Sequence, residues 1–580
     1  MTGNGQPDEA DAPTWPAEAA ESYRRAGYWA GRTFGAQLRD LAAAHADRTA
    51  VVDAERRVTY AELDRAVDEL AAGLRELGLR RGDKVVLQLP NGVEFVVTWF
   101  ALARLGVVPV HALPGHRAAE ITHLAALSGA VAHIVPDVHA RFDYRELAAT
   151  VRAQVPGVRH VVVAGEPGGR DGAVALGDLP VPGAGPIDDA PSPSDIALLL
   201  LSGGTTGVPK LIPRTHDDYA YNALAAARIC GMDADSVYLA VLPVAFNFTM
   251  SCPGLLGVLA VGGTAVLSGS PDPSTTFPLI ERERVTITAL NPPLTPVWIE
   301  EAGRTSHDLS SLQVVQIGSA RLADEIAPLV EPALGATLQQ VFGMAEGLLN
   351  LTLLDDPEEL KHTTQGRPIS PADEIRVVDT DGNDVPAGEP GELLTRGPYT
   401  LRGYYRAPEH NARSFTADGF YRTGDVVRQL PTGHLNVVGR VKDQINRGGE
   451  KIAATEVEGH LLAHPGIAAA AVVGTPDERF GERSVAFLVC RDEPVGKLAV
   501  ARHLRALGVA QYKHPDQVEL IDALPLTPVG KIDKNALRER LVSACARLPR
   551  PVRAPGQPPR GSGGRRDRPA RPVRWPADVR

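Results

Sequence analysis

Apolar and polar residues fall into a regular block pattern along this chain. From Val85 an apolar run, VVLQLP, meets Asn91-Gly92, passes into VEFVVTWFALARLG and resumes as VVPVHAL. The pattern predicts a strand, a turn, a helix stopped at Gly106 and a second strand, a crossover unit that joins parallel strands. Similar apolar runs recur at 131–135, 161–163, 196–201, 265–267, 287–289 and 314–317. Repeated strand–helix alternation predicts a large layered α/β body. Near Glu389 the texture changes to short strands and tight turns (GEPGELLTRG, DGFYRTGDVV, TGHLNVVGR), which predict a β-rich subdomain closing a domain over 15–441. A smaller α+β domain is expected over 442–546, with a helix opened by Ala454, Thr455 and Glu456, strands at AAAAVVG and SVAFLVC, and a helix at 497–507. Residues 1–14 are polar, and 547–580 are rich in Pro, Gly and Arg with almost no aliphatics, so both are expected to be disordered.

Composition narrows the function classes. Of 580 residues, 44% are apolar and 22% charged, the balance of an ordinary globular protein. A net charge of −10, with no basic helix interleaved with aromatics, argues against nucleic-acid binding. Cys230, Cys252, Cys490 and Cys545 are scattered and form no CxxC pair, so neither a disulfide framework nor a zinc site is expected. The opening MTGNGQPDEADAP shows no secretory signal, and the longest apolar run, 255–267, is too short and glycine-rich to span a bilayer. A cytoplasmic, soluble protein without membrane partners is expected.

The densest chemistry lies at 198–216, LLLLSGGTTGVPKLIPRTH. An apolar strand runs into Ser202, Gly203, Gly204, Thr205, Thr206 and Gly207, with Lys210 close behind. Glycines let successive N–H groups and hydroxyls wrap a polyphosphate, and a lysine adds charge. The spacing is not the Walker pattern. Elsewhere, Glu346 in LQQVFGMAEG follows a short apolar run, Asp425 in YRTGD offers a carboxylate able to accept two ribose hydroxyls, and Gly530 presents Lys531 at a loop tip.

These segments, with LLTRGPYTLRGYYRAPEHNARSF, KDQINRGGEKIAA and LLAHPG, resemble the acyl- and aryl-adenylate-forming enzymes from about Trp15 to Leu541. LIPRTHDDY is similar to the aryl-acid branch, the 2,3-dihydroxybenzoate-AMP ligases and their salicylate-activating relatives. The resemblance implies ATP and Mg²⁺ as cofactors, an aryl carboxylic acid as substrate and a phosphopantetheinylated aryl carrier protein as acceptor. It implies that Glu346 holds the metal and that Lys531 bridges carboxylate and α-phosphate. It places Gly318, Ser319 and Val341 along the adenine and acyl groups, and Arg440 at the ribose or a phosphate. Lys442 corresponds to a hinge, and Arg447, Gly448, Gly449 and Lys451 to a pantetheine-lining segment.

The resemblance also outlines the acid pocket, LPVAFNFTMSCPG, together with Ala345. Asn247 matches an amide that contacts a hydroxyl ortho to the carboxylate, and Phe248 stands where Tyr or Phe is usual. Cys252 replaces the serine of dihydroxybenzoate enzymes, and a thiol packs well against C–H but partners a second hydroxyl poorly. Phe246 departs from the usual histidine, which puts dihydroxybenzoate in question. Salicylate, a substituted salicylate or 3-hydroxypicolinate each fit the Asn–Cys pair. An aryl-CoA ligase, or a non-catalytic relative that senses the acid or nucleotide, are the competing readings.

Overall fold

The computed structural model describes residues 12–13, 15–169, 172–187, 190–202, 209–447, 450–477, 481–507, 509–527 and 530–546. The expected disordered tail and nearly all of the expected disordered N-terminus lie outside them. The chain groups into a compact unit Met1–Arg538 and a second, Glu539–Arg580, whose described residues are the helical ones up to 546. This grouping draws no division at Lys442.

Among the described residues of the first unit, two large sheets form the α/β body. A seven-stranded sheet runs in the order 211–215, 196–201, 108–111, 84–87, 132–136, 160–164, 173–175. Its first pair is antiparallel and the others parallel. The predicted crossover is present: Lys84–Leu87 pairs in parallel with Val108–His111, and helix Val93–Leu105 lies between them in sequence. That helix is apolar nearly all round and is buried accordingly. Gly106 ends it in the left-handed conformation, φ +71°.

A nine-stranded sheet is parallel through its centre, where Val237–Ala240, Ile287–Leu290, Val314–Ile317 and Thr337–Gly343 lie side by side. Helix His216–Ile229 starts with a capping box, the Thr215 hydroxyl accepting from Asp218 N–H and the Asp218 carboxylate accepting from Thr215 N–H. One apolar cluster, including Trp99, Tyr219, Tyr238 and Trp298, joins the faces of both sheets. The 255–267 run divides into helix Gly254–Ala260 and strand Thr264–Leu267, and no described helix is long and apolar enough to cross a membrane.

The turn-rich region is a four-stranded antiparallel sheet, Glu374–Val378, Pro390–Arg396, Tyr421–Gln429 and Leu435–Arg440, with a small core of Val377, Leu393, Val427, Leu435 and Leu348. Beyond it a further sheet is built from the hairpins Gln444–Arg447/Glu450–Ala453 and Ile467–Asp477/Gly481–Cys490. It packs helices Ala454–Leu462 and Lys497–Ala506 over a core that includes Ile445, Val457, Val472 and Leu504. The first of these helices does not start as its sequence predicts. Ala453 is the N-cap and makes no side-chain bond, because the strand Glu450–Ala453 feeds the helix directly and leaves Thr455 inside the first turn. Cys230, Cys252 and Cys490 are free thiols.

Candidate functional site

The site gathers at the carboxyl ends of the strands, where open α/β sheets bind ligands. Strand Ile196–Leu201 runs directly into Ser202. Ser202 N–H donates to the Lys210 carbonyl at 2.9 Å, and Lys210 N–H donates to Ser202 Oγ at 3.1 Å. Gly203, Gly204, Thr205, Thr206 and Gly207 lie outside the described residues. The Lys210 ammonium stands 5.6 Å above the ring of Tyr404.

Strand Thr337–Gly343 runs into the turn that holds Glu346. Gly347 follows at φ +95°, and a Cβ there would lie 1.9 Å from the Tyr399 carbonyl, so only glycine lets this turn press against the 399–401 segment. The Glu346 carboxylate is buried and accepts the Tyr404 hydroxyl on Oε1 at 2.8 Å. Asp425 and Arg440 face each other across paired strands, with Arg440 Nε 2.9 Å from Asp425 Oδ1. Burial raises the Asp425 carboxyl above the usual range, against the pull of Arg440 and Lys531. Asp425 in turn raises the Arg440 guanidinium.

Lys531 arrives on a tight loop in which Thr527 N–H donates to the Lys531 carbonyl at 2.7 Å and Lys531 N–H to Thr527 Oγ1 at 3.1 Å. Gly530 has φ +75°, and a Cβ on it would meet Asn291 Nδ2 at 2.6 Å, so this loop is seated against the end of strand Ile287–Leu290. Burial and then Arg440 push the Lys531 ammonium down to about 8, with Asp425 and Glu346 opposing. The fold therefore brings Glu346, Asp425, Arg440 and Lys531 into one electrostatic neighbourhood.

Among the described residues no group of three His, Cys, Asp or Glu side chains could hold a metal, and Glu346 Oε2 accepts no hydrogen bond. One carboxylate with a spare oxygen fits Mg²⁺, which takes most of its ligands from water and phosphates.

The residues expected to line an acid pocket form a second group, linked to the Glu346 turn through Ala345. Asn247 opens helix Asn247–Ser251, with Phe246, half-buried, as its N-cap. Tyr219 O–H donates to Asn247 Oδ1 at 2.9 Å, and Asn247 Nδ2 points at Cys252 Sγ, 3.6 Å away. Burial pushes the Cys252 thiol up to about 12, so it stays protonated at neutral pH. Gly318 lies under the Phe248 ring, since a Cβ would sit 2.9 Å from Phe248 Cζ and 3.0 Å from the Val341 carbonyl. Ser319 holds φ +72°, and its buried hydroxyl has no partner among the described residues. The Ala345 carbonyl accepts from Arg214 Nη1 at 3.0 Å, and Arg214 also pairs with Asp218 at 2.7 Å.

Several residues that shape the site are not apparent in the sequence. His111, at the end of its strand, accepts the Trp99 indole N–H on Nε2 at 2.9 Å, so its Nδ1–H donates to the Ala245 carbonyl at 3.0 Å. Burial lowers its pKa to about 4, which keeps the ring neutral and this tautomer fixed. Tyr219, Tyr404 and Tyr421 look like ordinary core aromatics in the sequence, although all three lie inside or beside its motifs. The structure does not bring Arg447 onto the Glu346 cluster. Its guanidinium is held by Asp516, 2.7 Å from Oδ1, and Asp516 Oδ2 accepts from Ser484 N–H. Lys451 pairs with Asn446 in the same hairpin, Gly448 and Gly449 lie outside the described residues, and Lys442 occupies the single turn Val441–Asp443.

Comparison with known proteins places this site in a family. The profile for AMP-binding enzymes matches residues 38–405, and that for the AMP-binding enzyme C-terminal domain matches 456–531. The chain belongs to the AMP-binding enzyme family. It is 54% identical over 528 residues to the 2,3-dihydroxybenzoate-AMP ligase of Bacillus subtilis, covering 91% of this chain and 97% of that one. Against the salicyl-AMP ligase / salicyl-S-ArCP synthetase of Mycobacterium tuberculosis the identity is 50% over 532 residues, covering 91% and 94%. The apo structure of Mycobacterium smegmatis MbtA superposes with a TM-score of 0.72 at 49% identity, covering 92% and 99%. The anthranilate CoA ligase AuaEII with anthranoyl-AMP superposes at 0.80 with 25% identity, covering 89% and 98%.

Proposed function

We propose that this protein is an aryl-acid AMP ligase that activates a 2-hydroxyaryl carboxylic acid of the salicylate or dihydroxybenzoate type. The observation that supports this most is that Glu346, Asp425, Arg440 and Lys531 share one electrostatic neighbourhood, while Ala345, next to Glu346, is tied by Arg214 to the helix that carries Tyr219, the partner of Asn247. Because Tyr219 donates to Oδ1, Nδ2 is the donor end of the amide: one N–H points at Cys252 Sγ, and the other would donate to an ortho oxygen of the acid. Acids activated by relatives at 54% and 50% identity support the same class.

In the reaction, an acid carboxylate oxygen attacks the α-phosphorus of ATP, the bond to the β-phosphate oxygen breaks and pyrophosphate leaves. The Ser202–Lys210 loop would hold the phosphates, Asp425 and Arg440 the ribose, and Ser319, with Gly318 and Val341, the adenine edge. Lys531 would neutralise charge growing between carboxylate and α-phosphate, a task that requires its protonated form. Glu346 would hold Mg²⁺, which supplies charge neutralisation for the leaving pyrophosphate. The aryl ring would lie among Phe246, Asn247, Phe248, Cys252 and Ala345. In a second step the phosphopantetheine thiol of a carrier protein, having lost its proton, attacks the acyl carbon and AMP leaves, as at the start of siderophore or nonribosomal peptide assembly. For that step Lys442 would act as hinge, turning a C-terminal domain that begins there, and the Arg447–Lys451 hairpin would line the pantetheine path. The ATP-dependent chemistry suits the cytoplasm.

ATP–pyrophosphate exchange across salicylate, 2,3-dihydroxybenzoate, 3-hydroxypicolinate, benzoate and anthranilate tests the proposal. Preference for a 2-hydroxyaryl acid is expected, and exchange confined to acids without the ortho hydroxyl would overturn the pocket assignment. Cys252→Ser should move preference toward 2,3-dihydroxybenzoate, because the hydroxyl can pair with a second phenol. Supplying CoA or a phosphopantetheinylated carrier then distinguishes the acceptor.

A further inference from the structure

The geometry points to Tyr404 as a positioning residue for the cation site, an inference that rests on Glu346 being the metal carboxylate. Tyr404 touches both halves of the phosphate machinery. Its hydroxyl donates to Glu346 Oε1 at 2.8 Å, and the face of its ring lies under the Lys210 ammonium at 5.6 Å. A carboxylate can only accept, so the single Tyr404 proton is committed to Glu346. Tyr421, whose oxygen is 2.8 Å from that of Tyr404, must then be the donor of their shared bond. The result is a directed chain, Tyr421 O–H to Tyr404 O–H to Glu346, in which all three residues are buried.

The surrounding backbone is built to hold this chain still. The side-chain amide of Asn411 accepts from Tyr404 N–H at 2.8 Å and donates to the Tyr404 carbonyl at 2.9 Å, clamping the residue from both sides. His410 packs edge-on against the ring, 4.9 Å between centroids. Leu401 N–H reaches back to the Glu346 carbonyl at 2.7 Å, so the segment 401–404 fixes the glutamate through its main chain and its side chain together. With Oε1 taken, the carboxylate cannot rotate freely, and Oε2 is the oxygen left for a cation. Partners that orient a metal-bound carboxylate in this way typically contribute 10–100-fold in metal affinity.

Mn²⁺ binding to the full chain in the presence of a non-hydrolysable α,β-methylene ATP analogue, followed by electron paramagnetic resonance, tests this without relying on turnover. Tyr404→Phe keeps the ring under Lys210 and removes only the hydroxyl. It is expected to weaken Mn²⁺ binding about 10–100-fold while leaving the unliganded melting temperature near that of the parent. In a Glu346→Gln background the same change should add little further loss. Undiminished Mn²⁺ affinity in Tyr404→Phe, alongside a clear loss in Glu346→Gln, would overturn the role of Tyr404 alone. Unchanged affinity in Glu346→Gln would overturn the metal assignment beneath it. Should Tyr404→Phe fold poorly, Tyr421→Phe provides the second reading: it leaves the Glu346 bond in place, so a smaller loss in the same direction is expected, and no loss would count against the chain.

Discussion

Lys531 shows how position sets the chemistry of one side chain. An exposed lysine titrates near 10.4, but burial and the neighbouring Arg440 bring this one down to about 8. Its proton is therefore at risk at mildly alkaline pH, and the role proposed for it in adenylation needs the charged form. The rate constant kcat/KM for adenylation should fall as pH rises through about 8, since that parameter reports the free enzyme. Lys531→Arg, which stays charged, should lack this alkaline limb even at a lower plateau; an identical limb in the variant would assign the titration to another group. Lys531→Ala should cost about 10²–10³-fold in adenylation while thioester formation from preformed adenylate continues. Residues like this are legible in sequence because a motif surrounds them. The partners of His111 and Tyr219 are not legible in this way: His111 reaches the Ala245 carbonyl 134 residues on, and although Tyr219 closes a motif, the sequence does not say that its hydroxyl meets Asn247.

At the scale of elements, a buried hydrogen-bond network ties three pieces of the α/β body together. Tyr399 O–H donates to Asp373 Oδ2 at 2.5 Å and accepts from Leu349 N–H at 3.2 Å, while Ser370, whose N–H donates to Asp373, meets Tyr221 of helix His216–Ile229 at 2.7 Å. Asp373 Oδ1 is buried and has no hydrogen-bond partner among the described residues, packed where only a glycine at 397 leaves room. Desolvation raises this carboxyl to about 7. Between about pH 4 and pH 7 the unfolded chain has lost the proton that the fold retains, so stability falls as pH rises through that window. Asp373→Asn removes the titration. Its melting temperature relative to the parent should rise between pH 5 and pH 8, by about 1 °C for each kcal/mol recovered in a unit of this size. A difference that is the same at both pH values would mean that Asp373 does not titrate in this range. The elements themselves read well from the sequence: strands at 196–201 and 314–317 lie where their apolar runs place them. The Thr455 start reads poorly because a strand runs directly into that helix, a tertiary circumstance that capping residues do not record.

On the scale of the whole molecule, the proposed adenylation chemistry would draw on segments remote in sequence, carried by different sheets: Glu346 follows strand Thr337–Gly343, Asp425 and Arg440 face each other on the four-stranded sheet, and the Lys531 loop rests on Asn291. The sequence showed each motif but not which surface a motif would rest on. The contact between Gly530 and Asn291 is the clearest case, joining the Lys531 loop to the end of strand Ile287–Leu290. Gly530 is suited to that seat twice over, by its φ of +75° and by having no Cβ where Asn291 Nδ2 would be 2.6 Å away. Gly530→Ala is therefore expected to unseat the loop in the posture that brings Lys531 toward Asp425 and Glu346, leaving the rest of the chain folded. Pyrophosphate exchange should drop about 10²–10³-fold, approaching the loss of the lysine itself. Transfer from preformed aryl-adenylate to the carrier thiol does not use that seat and should proceed at close to the parental rate. If both half-reactions fell together, the Gly530–Asn291 contact would serve the fold at large; if neither fell, the loop would reach its working position without it. The split between the two half-reactions is thus the measurement that assigns this contact to adenylation.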